Sequence, residues 1–264
     1  MSIDVKNRSN IRLTREQTHP VAFLLVVLLA WELGVEAFNV PEYFLPAPSA
    51  IIEGIIVDFG QYSEAATTTF YYALVSFAVG SLAGISFGIA LYLSEVLERS
   101  SKSLLLIIFV VPKIVIAPIF VLWWGASPTY FIVLPVLLVF YPVLEATLDG
   151  LKTVPEELNN LGLLSGASLP FRVLNVHLPH SLPYMFGGFK VGIKQAIVGV
   201  TVAEFIAPEQ GLGHLMIVGV QFGQPLVAWG AILIIITLGL LLYGTIELVD
   251  RRVVFWTKEG YDEF

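Results

Sequence analysis

The sequence has no cysteine among its 264 residues, and charged residues make up only 13% of it. The missing cysteines exclude disulfide frameworks and thiolate metal sites. A soluble globular domain carries about a quarter charged residues, so the low charge argues against that class. No basic cluster is present, which argues against a nucleic-acid partner. With 56% hydrophobic residues and a mean hydropathy of +0.82, the composition predicts an all-α polytopic membrane protein embedded in lipid.

Motifs for nucleotide binding and for familiar catalysis are also missing. There is no G-x-x-x-x-G-K-[ST], so the chain is not expected to bind ATP through a P-loop. There is no H-E-x-x-H and no G-x-S-x-G, which argues against a metalloprotease or a serine hydrolase. His177 and His180 are close together but lack a carboxylate or thiolate companion, and we interpret them as surface or helix-end residues. The sequence therefore predicts no catalytic residue, no metal site and no cofactor.

Long apolar stretches are what the sequence does contain. Six of them reach the length of roughly 20 residues that a helix needs to cross a bilayer: 21–38, 62–94, 104–124, 129–148, 182–207 and 225–248. A basic segment before the first stretch is also typical of a signal peptide, but the stretch is long and no clear cleavage site follows, so a retained helix is favoured. We expect an N-terminal tail (1–20), a transmembrane domain (21–250) with a polar loop at 149–181, and a C-terminal tail (251–264). A short re-entrant or surface helix is expected at 214–222.

Lysine and arginine predict the orientation of these spans. The segments 39–61, 125–128 and 208–224 contain neither residue, whereas the tails and the loops at 95–103 and 149–181 hold eleven of the fourteen. Positive residues gather on the cytoplasmic side of a membrane. We therefore expect both termini and the loop at 149–181 to be cytoplasmic.

One of the predicted spans carries a stripe of small residues. Gly80, Gly84 and Gly88 repeat at four-residue spacing, which places them on one face of a helix. Small residues on one face let a second helix approach closely within lipid. We therefore predict a helix-packing surface at these three glycines.

The polar loop has the pattern of two helices joined by a turn. Thr153 and Glu156 have the spacing of a capping box at the start of the first helix. Gly166 suits the left-handed residue that ends such a helix. Ser168 is placed to cap a second short helix, which Leu178-Pro179 is expected to end.

The detailed spacing in this loop resembles the signature loop of bacterial ABC-importer permeases. Gly166 is followed after nine residues by Val176, one further residue and Leu178-Pro179, while Asn160-Leu161-Gly162 stands where E-A-A is usual. Further stretches look like the nitrate/sulfonate/taurine branch of these permeases: Leu45 to Ser49, Pro112-Lys113-Ile114 with Ala117-Pro118, Trp123 with Gly125, and Ala203-Glu204 with Gly211-Leu212-Gly213. The resemblance covers nearly the whole chain and implies the type I ABC-importer permease fold with six transmembrane helices.

The resemblance also implies partners in the inner membrane and on both sides of it. Two cytoplasmic ATPase subunits would hold the ATP and magnesium, a second copy of this chain would complete a homodimer, and an extracytoplasmic binding protein would deliver the solute. The loop would dock on the ATPase through Glu156, Glu157, Asn160, Leu161, Gly162, Gly166, Ala167, Phe171, Arg172 and Pro179.

Four charged residues within the predicted spans are candidates for the translocation path, because intramembrane charges are commonly functional: Lys113, Lys190, Lys194 and Glu204. Lys113, with Lys194 second, would make the path electropositive, which favours a small anion such as nitrate, a sulfonate or taurine. Lys190 lies near the cytoplasmic end of its span, where snorkelling is favoured. One alternative is an ABC importer for a pyrimidine precursor or another small metabolite. Another is a secondary transporter that uses Glu204 and the lysines as an ion relay, although such a protein does not need an ATPase-docking loop. A membrane-bound enzyme lacks a plausible catalytic set.

Overall fold

The computed structural model describes residues 6–110 and 112–256, without the side chains of 6–21, 102, 106, 108–110, 113 and 159. All regular elements in the described residues are helical. They are α1 (Lys6–Ala37), α2 (Pro48–Val57), α3 (Phe59–Leu93), α4 (Glu95–Val110), α5 (Lys113–Trp124), α6 (Pro128–Lys152), α7 (Glu156–Leu164), α8 (Leu169–Arg172), a π-helical turn (Val173–His177), α9 (Leu178–Ile206), α10 (Gly211–Gln221) and α11 (Pro225–Val253).

The chain forms two compact units. The smaller comprises the residues up to Phe59 together with Val218–Gly230. Within it, Glu32 of α1 accepts hydrogen bonds from the N–H (3.1 Å) and Oγ (2.5 Å) of Ser49. A carboxylate at a helix N-terminus is favourable because the first N–H groups have no partner in the helix. Glu32 thus ties α1 to the first turn of α2.

The larger unit comprises Gly60–Ile217 and the chain from Ala231 onward. Its core lies where α3, α5, α6, α9 and α11 meet, and it is built from apolar side chains: Tyr72, Ala73, Ala117, Phe120, Tyr130, Phe131, Leu134, Ile193, Ile197, Val200, Ala203, Ala207 and Leu242. Residues from α6 dominate the fully buried set, among them Tyr130, Phe131 and Leu134. The middle helix of this unit is therefore α6.

Glycines bring α3 and α6 into close contact. A Cβ atom at Gly84 would lie 2.8 Å from the carbonyl oxygen of Phe140, and one at Gly80 would lie 2.7 Å from Cβ of Val139. At Gly88 it would lie 3.0 Å from Cβ of Thr147. The predicted glycine surface therefore packs against α6 of the same chain.

The helix α9 approaches the other side of α6 in the same way. A Cβ atom at Gly188 would lie 2.6 Å from Cβ of Ala146, and one at Gly199 would lie 2.7 Å from Cα of Pro135. Because both neighbours of α6 contact it through glycine, backbone packs almost directly against backbone in this unit.

The stretch predicted as a third span, 104–124, is not one continuous helix. The last described residue of α4 is Val110, and α5 begins at Lys113 after Pro112, whose backbone is extended (φ −64°, ψ 102°). Proline has no N–H for the helical ladder and its ring clashes with the preceding turn, which accounts for the interruption. Lys113 therefore lies at the start of a helix rather than in the middle of one.

Three described helices are long and apolar enough to cross a membrane: α3, α6 and α11. The continuous helical segment Leu169–Ile206 and α10 pass the same test together, with a bend of 46° between them. The short helix predicted before the last span is confirmed as α10. It begins at Gly211 rather than at residue 214. The count of six spans remains a prediction.

We predict that Gly84→Ala destabilises the protein by about 1–3 kcal/mol, as overpacking of a tight contact does. Its methyl group would press on the backbone of α6, which cannot move like the end of a side chain. Gly244→Ala in α11 is the matched control, since a Cβ atom there has no neighbour within 4 Å. Thermal unfolding in detergent measures both variants. Equal melting temperatures would contradict the proposed role of the α3–α6 contact.

Candidate functional site

The signature loop, which we define as Thr153–Pro179, contains α7, a turn, α8 and the π-helical turn. The turn closes on Gly166, whose φ of +72° is in the left-handed region. Its N–H donates to the carbonyl oxygen of Leu163 (3.0 Å), and the N–H of Ala167 donates to that of Gly162 (3.0 Å). This pair of bonds is the Schellman motif. The predicted role of Gly166 as the residue ending the first helix is confirmed.

The capping box predicted at Thr153 and Glu156 is wrong. The hydroxyl of Thr153 donates to the carbonyl oxygen of Gly150 (2.8 Å), so Thr153 completes the last turn of α6. Pro155 precedes the first residue of α7, and no side chain caps that helix. Thr153 does not cap α7 because α6 continues four residues beyond the predicted end of its span, so that Thr153 follows directly on α6.

The predicted helix end at Leu178-Pro179 is also wrong, since the helical segment from Leu169 continues to Ile206. The π-helical turn Val173–His177 lies immediately before Pro179. A widened turn changes the hydrogen-bond ladder at the place where proline cannot donate. The signature loop is therefore joined to α9 without a break.

The signature loop exposes a row of large apolar side chains. Leu158, Leu161 and Leu164 have helical spacing along α7, and Leu164 is 87% exposed. Phe171 of α8 and Leu174 of the π-helical turn are also exposed. We call these five residues the apolar edge. Exposed apolar patches on a polar segment mark interaction surfaces.

Close packing holds the two short helices of the loop together. A Cβ atom at Gly162 would lie 2.7 Å from Cδ of Arg172, so the arginine stem crosses α7 at this glycine. Of the remaining predicted docking residues, Glu156, Glu157, Asn160 and Pro179 are exposed.

His177 connects the signature loop to α3. Its side chain is buried, and its Nδ1 lies 2.8 Å from the Tyr92 hydroxyl in a hydrogen bond. Burial lowers the pKa of His177 below its ordinary value. A backbone contact with Leu151 opposes this shift, whereas Arg172 and His180 add to it. The sequence predicted a surface or helix-end residue here, and the surface position is wrong. Nothing local indicates that Tyr92, 85 residues away, lies against His177.

Glu204 lies at the other end of α9, fully buried against α3 and the start of α10. Its carboxylate accepts hydrogen bonds from the Thr69 hydroxyl (2.8 and 2.9 Å) and from the N–H of Gly213 (2.9 Å). The Thr69 oxygen in turn accepts the N–H of Leu212 (2.9 Å). Two backbone groups at the start of α10 are thereby satisfied from α3 and α9.

Glycine is required on both sides of this carboxylate. Gly211 has a φ of +87°, and a Cβ atom there would overlap the carboxylate oxygens of Glu204. A Cβ atom at Gly213 would lie 2.8 Å from Cβ of Glu204. We call Thr69, Glu204 and Gly211-Leu212-Gly213 the carboxylate clasp. It gives a physical reason for the spacing of Ala203-Glu204 and Gly211-Leu212-Gly213 that the sequence displays.

Lys190 and Lys194 have partners other than Glu204. Lys190 forms ion pairs with Glu247 and Asp250 (2.6 Å for the latter) near the end of α11. The ammonium of Lys194 lies 5.4 Å from the centre of the Tyr243 ring, a cation–π contact. The side chain of Lys113 lies outside the described residues. No lysine or arginine within the described side chains forms an ion pair with Glu204.

Residues 76–255 match the family described as "Binding-protein-dependent transport system inner membrane component". The chain therefore belongs to this family, the transmembrane components of ABC importers. Its members work with ATPase and substrate-binding partners, and they transport solutes rather than catalyse a reaction. The resemblance derived from the signature loop is thus confirmed.

Several curated relatives match along most of the chain. The riboflavin transport system permease protein RibX of Chloroflexus aurantiacus is 30% identical, over 88% of each chain. The formylaminopyrimidine transport permease protein ThiX of Halalkalibacterium halodurans is 28% identical, over 91% of this chain and 96% of the relative. The taurine transport system permease protein TauC of Escherichia coli is 27% identical, over 93% and 92%.

The fold is similar to that of a solved transporter, "Inward facing conformations of the MetNI methionine ABC transporter". The superposition has a TM-score of 0.63 and 18% sequence identity, and it covers 74% of this chain and 97% of the other. The predicted type I permease fold is confirmed.

We predict that Thr69→Val lowers stability by about 1–3 kcal/mol, the cost of leaving buried polar groups unpaired. Valine has nearly the same shape but cannot bond to Glu204 or to the N–H of Leu212. Thr67→Val is the matched control, because the Thr67 hydroxyl bonds to the Ser63 carbonyl oxygen on the exposed face of the same helix. If both variants melt at the wild-type temperature, the carboxylate clasp contributes nothing to stability.

We further predict that the melting temperature falls as the pH drops below about 6.5. The lowered pKa of His177 means that the folded protein binds fewer protons than the unfolded chain near this pH, so stability rises with pH and is lost on acidification. His177→Gln should flatten this dependence, because glutamine does not titrate. A profile unchanged by His177→Gln would show that other groups cause the acid sensitivity.

Proposed function

We propose that this chain forms half of a homodimeric permease whose signature loops dock on two cytoplasmic ATPase subunits. The observation that carries this proposal is the apolar edge. The five apolar side chains of this edge stand exposed, as do Leu163 and Leu169 beside them, and the loop continues without a break into α9. A motion imposed on the loop would pass directly into α9, because no flexible connection separates the two.

The charges of the loop have a smaller part in this docking. Glu156 and Glu157 are exposed beside Asn160, where the family has glutamate. An exposed ion pair contributes about 0–1 kcal/mol. The neutral Asn160 therefore weakens ATPase binding by less than about tenfold, and the apolar edge provides most of the contact.

The distribution of positive residues supports a cytoplasmic position for the signature loop and both termini. The carboxylate clasp then lies toward the extracytoplasmic side, at the opposite end of α9. A binding protein would deliver the solute on that side.

The homodimer needs a surface other than the glycine face of α3, since that face is occupied by α6 within one chain. Two copies are proposed because the resemblance to ABC-importer permeases implies a homodimer. The mass of the purified complex measures the stoichiometry directly.

Relatives in this family are named for taurine and sulfonates, and also for riboflavin and formylaminopyrimidine. The solute is therefore proposed to be a small metabolite. An electropositive path would require the lysines, and two of the three are held by Glu247, Asp250 and Tyr243.

We predict that Gly166→Pro leaves the permease inserted but abolishes ATP-driven uptake. Proline cannot adopt a positive φ, and it also removes the N–H bond to Leu163. Gly166→Asn is the matched control, because asparagine tolerates the left-handed region. Phe171→Asp should have the same effect as proline by placing a charge in the apolar edge. Reconstituted uptake and co-purification of the ATPase are measured together. Wild-type values for Gly166→Pro and Phe171→Asp would refute the docking assignment.

A further inference from the structure

A recess of about 240 Å³ opens beside the carboxylate clasp, between the first turns of α3 and the start of α10. Polar side chains form most of its wall: Gln61, Glu64, Thr68, Glu209, Gln210 and His214. Its floor contains Ala65, Gly211 and Leu215. The recess belongs entirely to the larger unit of the chain.

The recess is rich in hydrogen-bond acceptors. Glu64 and Glu209 provide two carboxylates, and the two glutamines provide amide oxygens. No lysine or arginine is among the described side chains that line it. The Nδ1 atom of His214 is buried and has no hydrogen-bond partner within the described part of the chain. Such a wall repels anions and attracts solutes with N–H donors.

Two residues of the recess wall, Gly211 and Gln210, are held by contacts within the chain. Gly211 is fixed against Glu204 by the carboxylate clasp, and the amide of Gln210 donates to the Tyr72 hydroxyl (3.0 Å). Tyr72 itself lies in the apolar core. A preformed site avoids the entropy cost of ordering its walls when a ligand binds.

We propose that this recess is a solute subsite on the extracytoplasmic side, and that it takes an uncharged or cationic heterocycle carrying amino groups. The proposal rests on the proposed function and orientation, and it narrows the solute to a non-anionic class. Glu64 and Glu209 would accept hydrogen bonds from the amino N–H groups. The N–H groups of the glutamine amides would donate to the ring nitrogens. The volume suits a single substituted ring, somewhat below the usual range for drug-sized ligands.

The charges elsewhere on the chain agree with this assignment. The sequence segments 39–61 and 208–224, which include Gln61 and the lining residues 209–215, contain acidic residues and no lysine or arginine. Lys190 and Lys194 are occupied by side chains of α11. Within the described side chains, an anion would find no lysine or arginine in the lining of this recess.

The experiment measures ligand binding to the purified permease–ATPase complex without a binding protein. The probe is 4-aminopyrimidine, and pyrimidine, nitrate and methanesulfonate are the comparison ligands. Titration with the thermal shift as readout gives a Kd for each. We expect 4-aminopyrimidine to raise the melting temperature in a saturable manner, and pyrimidine and the two anions to have no effect. Glu64→Gln and Glu209→Gln should each weaken 4-aminopyrimidine binding about tenfold or more, since bonds to a charged group are the stronger ones.

Glu95→Gln is the matched control, because Glu95 is an exposed carboxylate on α4 paired only with Arg99 one turn away. It should leave the Kd unchanged. Any one of three results would overturn the proposal. These are saturable binding of nitrate or methanesulfonate, no binding of 4-aminopyrimidine, and a Kd for 4-aminopyrimidine in the Glu64→Gln and Glu209→Gln variants equal to that of the wild type. Co-purification of the ATPase tests the proposed function separately. If the permease–ATPase complex is intact and any of these three results is obtained, the subsite proposal is wrong and the importer assignment is unaffected.

Discussion

Close contact between helix backbones is the constraint on which the larger unit depends. Inside a bilayer, burying apolar side chains against one another gives little advantage over contact with lipid, so helices associate through tight packing. The helix α6 meets this requirement on two sides, since Gly80, Gly84 and Gly88 of α3 and the glycines of α9 remove the side chains that would separate them. The carboxylate clasp and the signature loop both involve α3 or α9. The glycines determine how closely these two helices approach α6.

The two ends of α9 use different chemistry for different purposes. At one end, Glu204 and Thr69 each accept one backbone N–H from the start of α10, at a bend that lies beside a polar recess. At the other end, the π-helical turn keeps the helix continuous with the signature loop, whose leucines and Phe171 remain exposed. A continuous helical segment thus connects the recess that we propose for the solute with the loop that we propose to dock on the ATPase.

Local features of the fold were predictable from the sequence, and pairings between distant residues were not. Gly166 could be placed as a helix end because its left-handed conformation is a property of a single turn. Thr153 was assigned to the wrong helix because both neighbouring helices offered it a partner, and only the length of α6 decides between them. Pro112 and Pro179 were both expected within or beside apolar helices. Pro112 interrupts the helix, whereas Pro179 follows a π-helical turn and the helix continues. The roles of Thr69 and Tyr92 depend on partners 135 and 85 residues away, for which no periodicity exists.

The carboxylate clasp also has a consequence for biogenesis. Thr69 is synthesised 135 residues before Glu204, and a carboxylate is costly at membrane depth when it has no partner. The stability of α9 is therefore tied to α3, a helix that leaves the ribosome much earlier. A defect in α3 at Thr69 would reach the later part of the chain through this one contact.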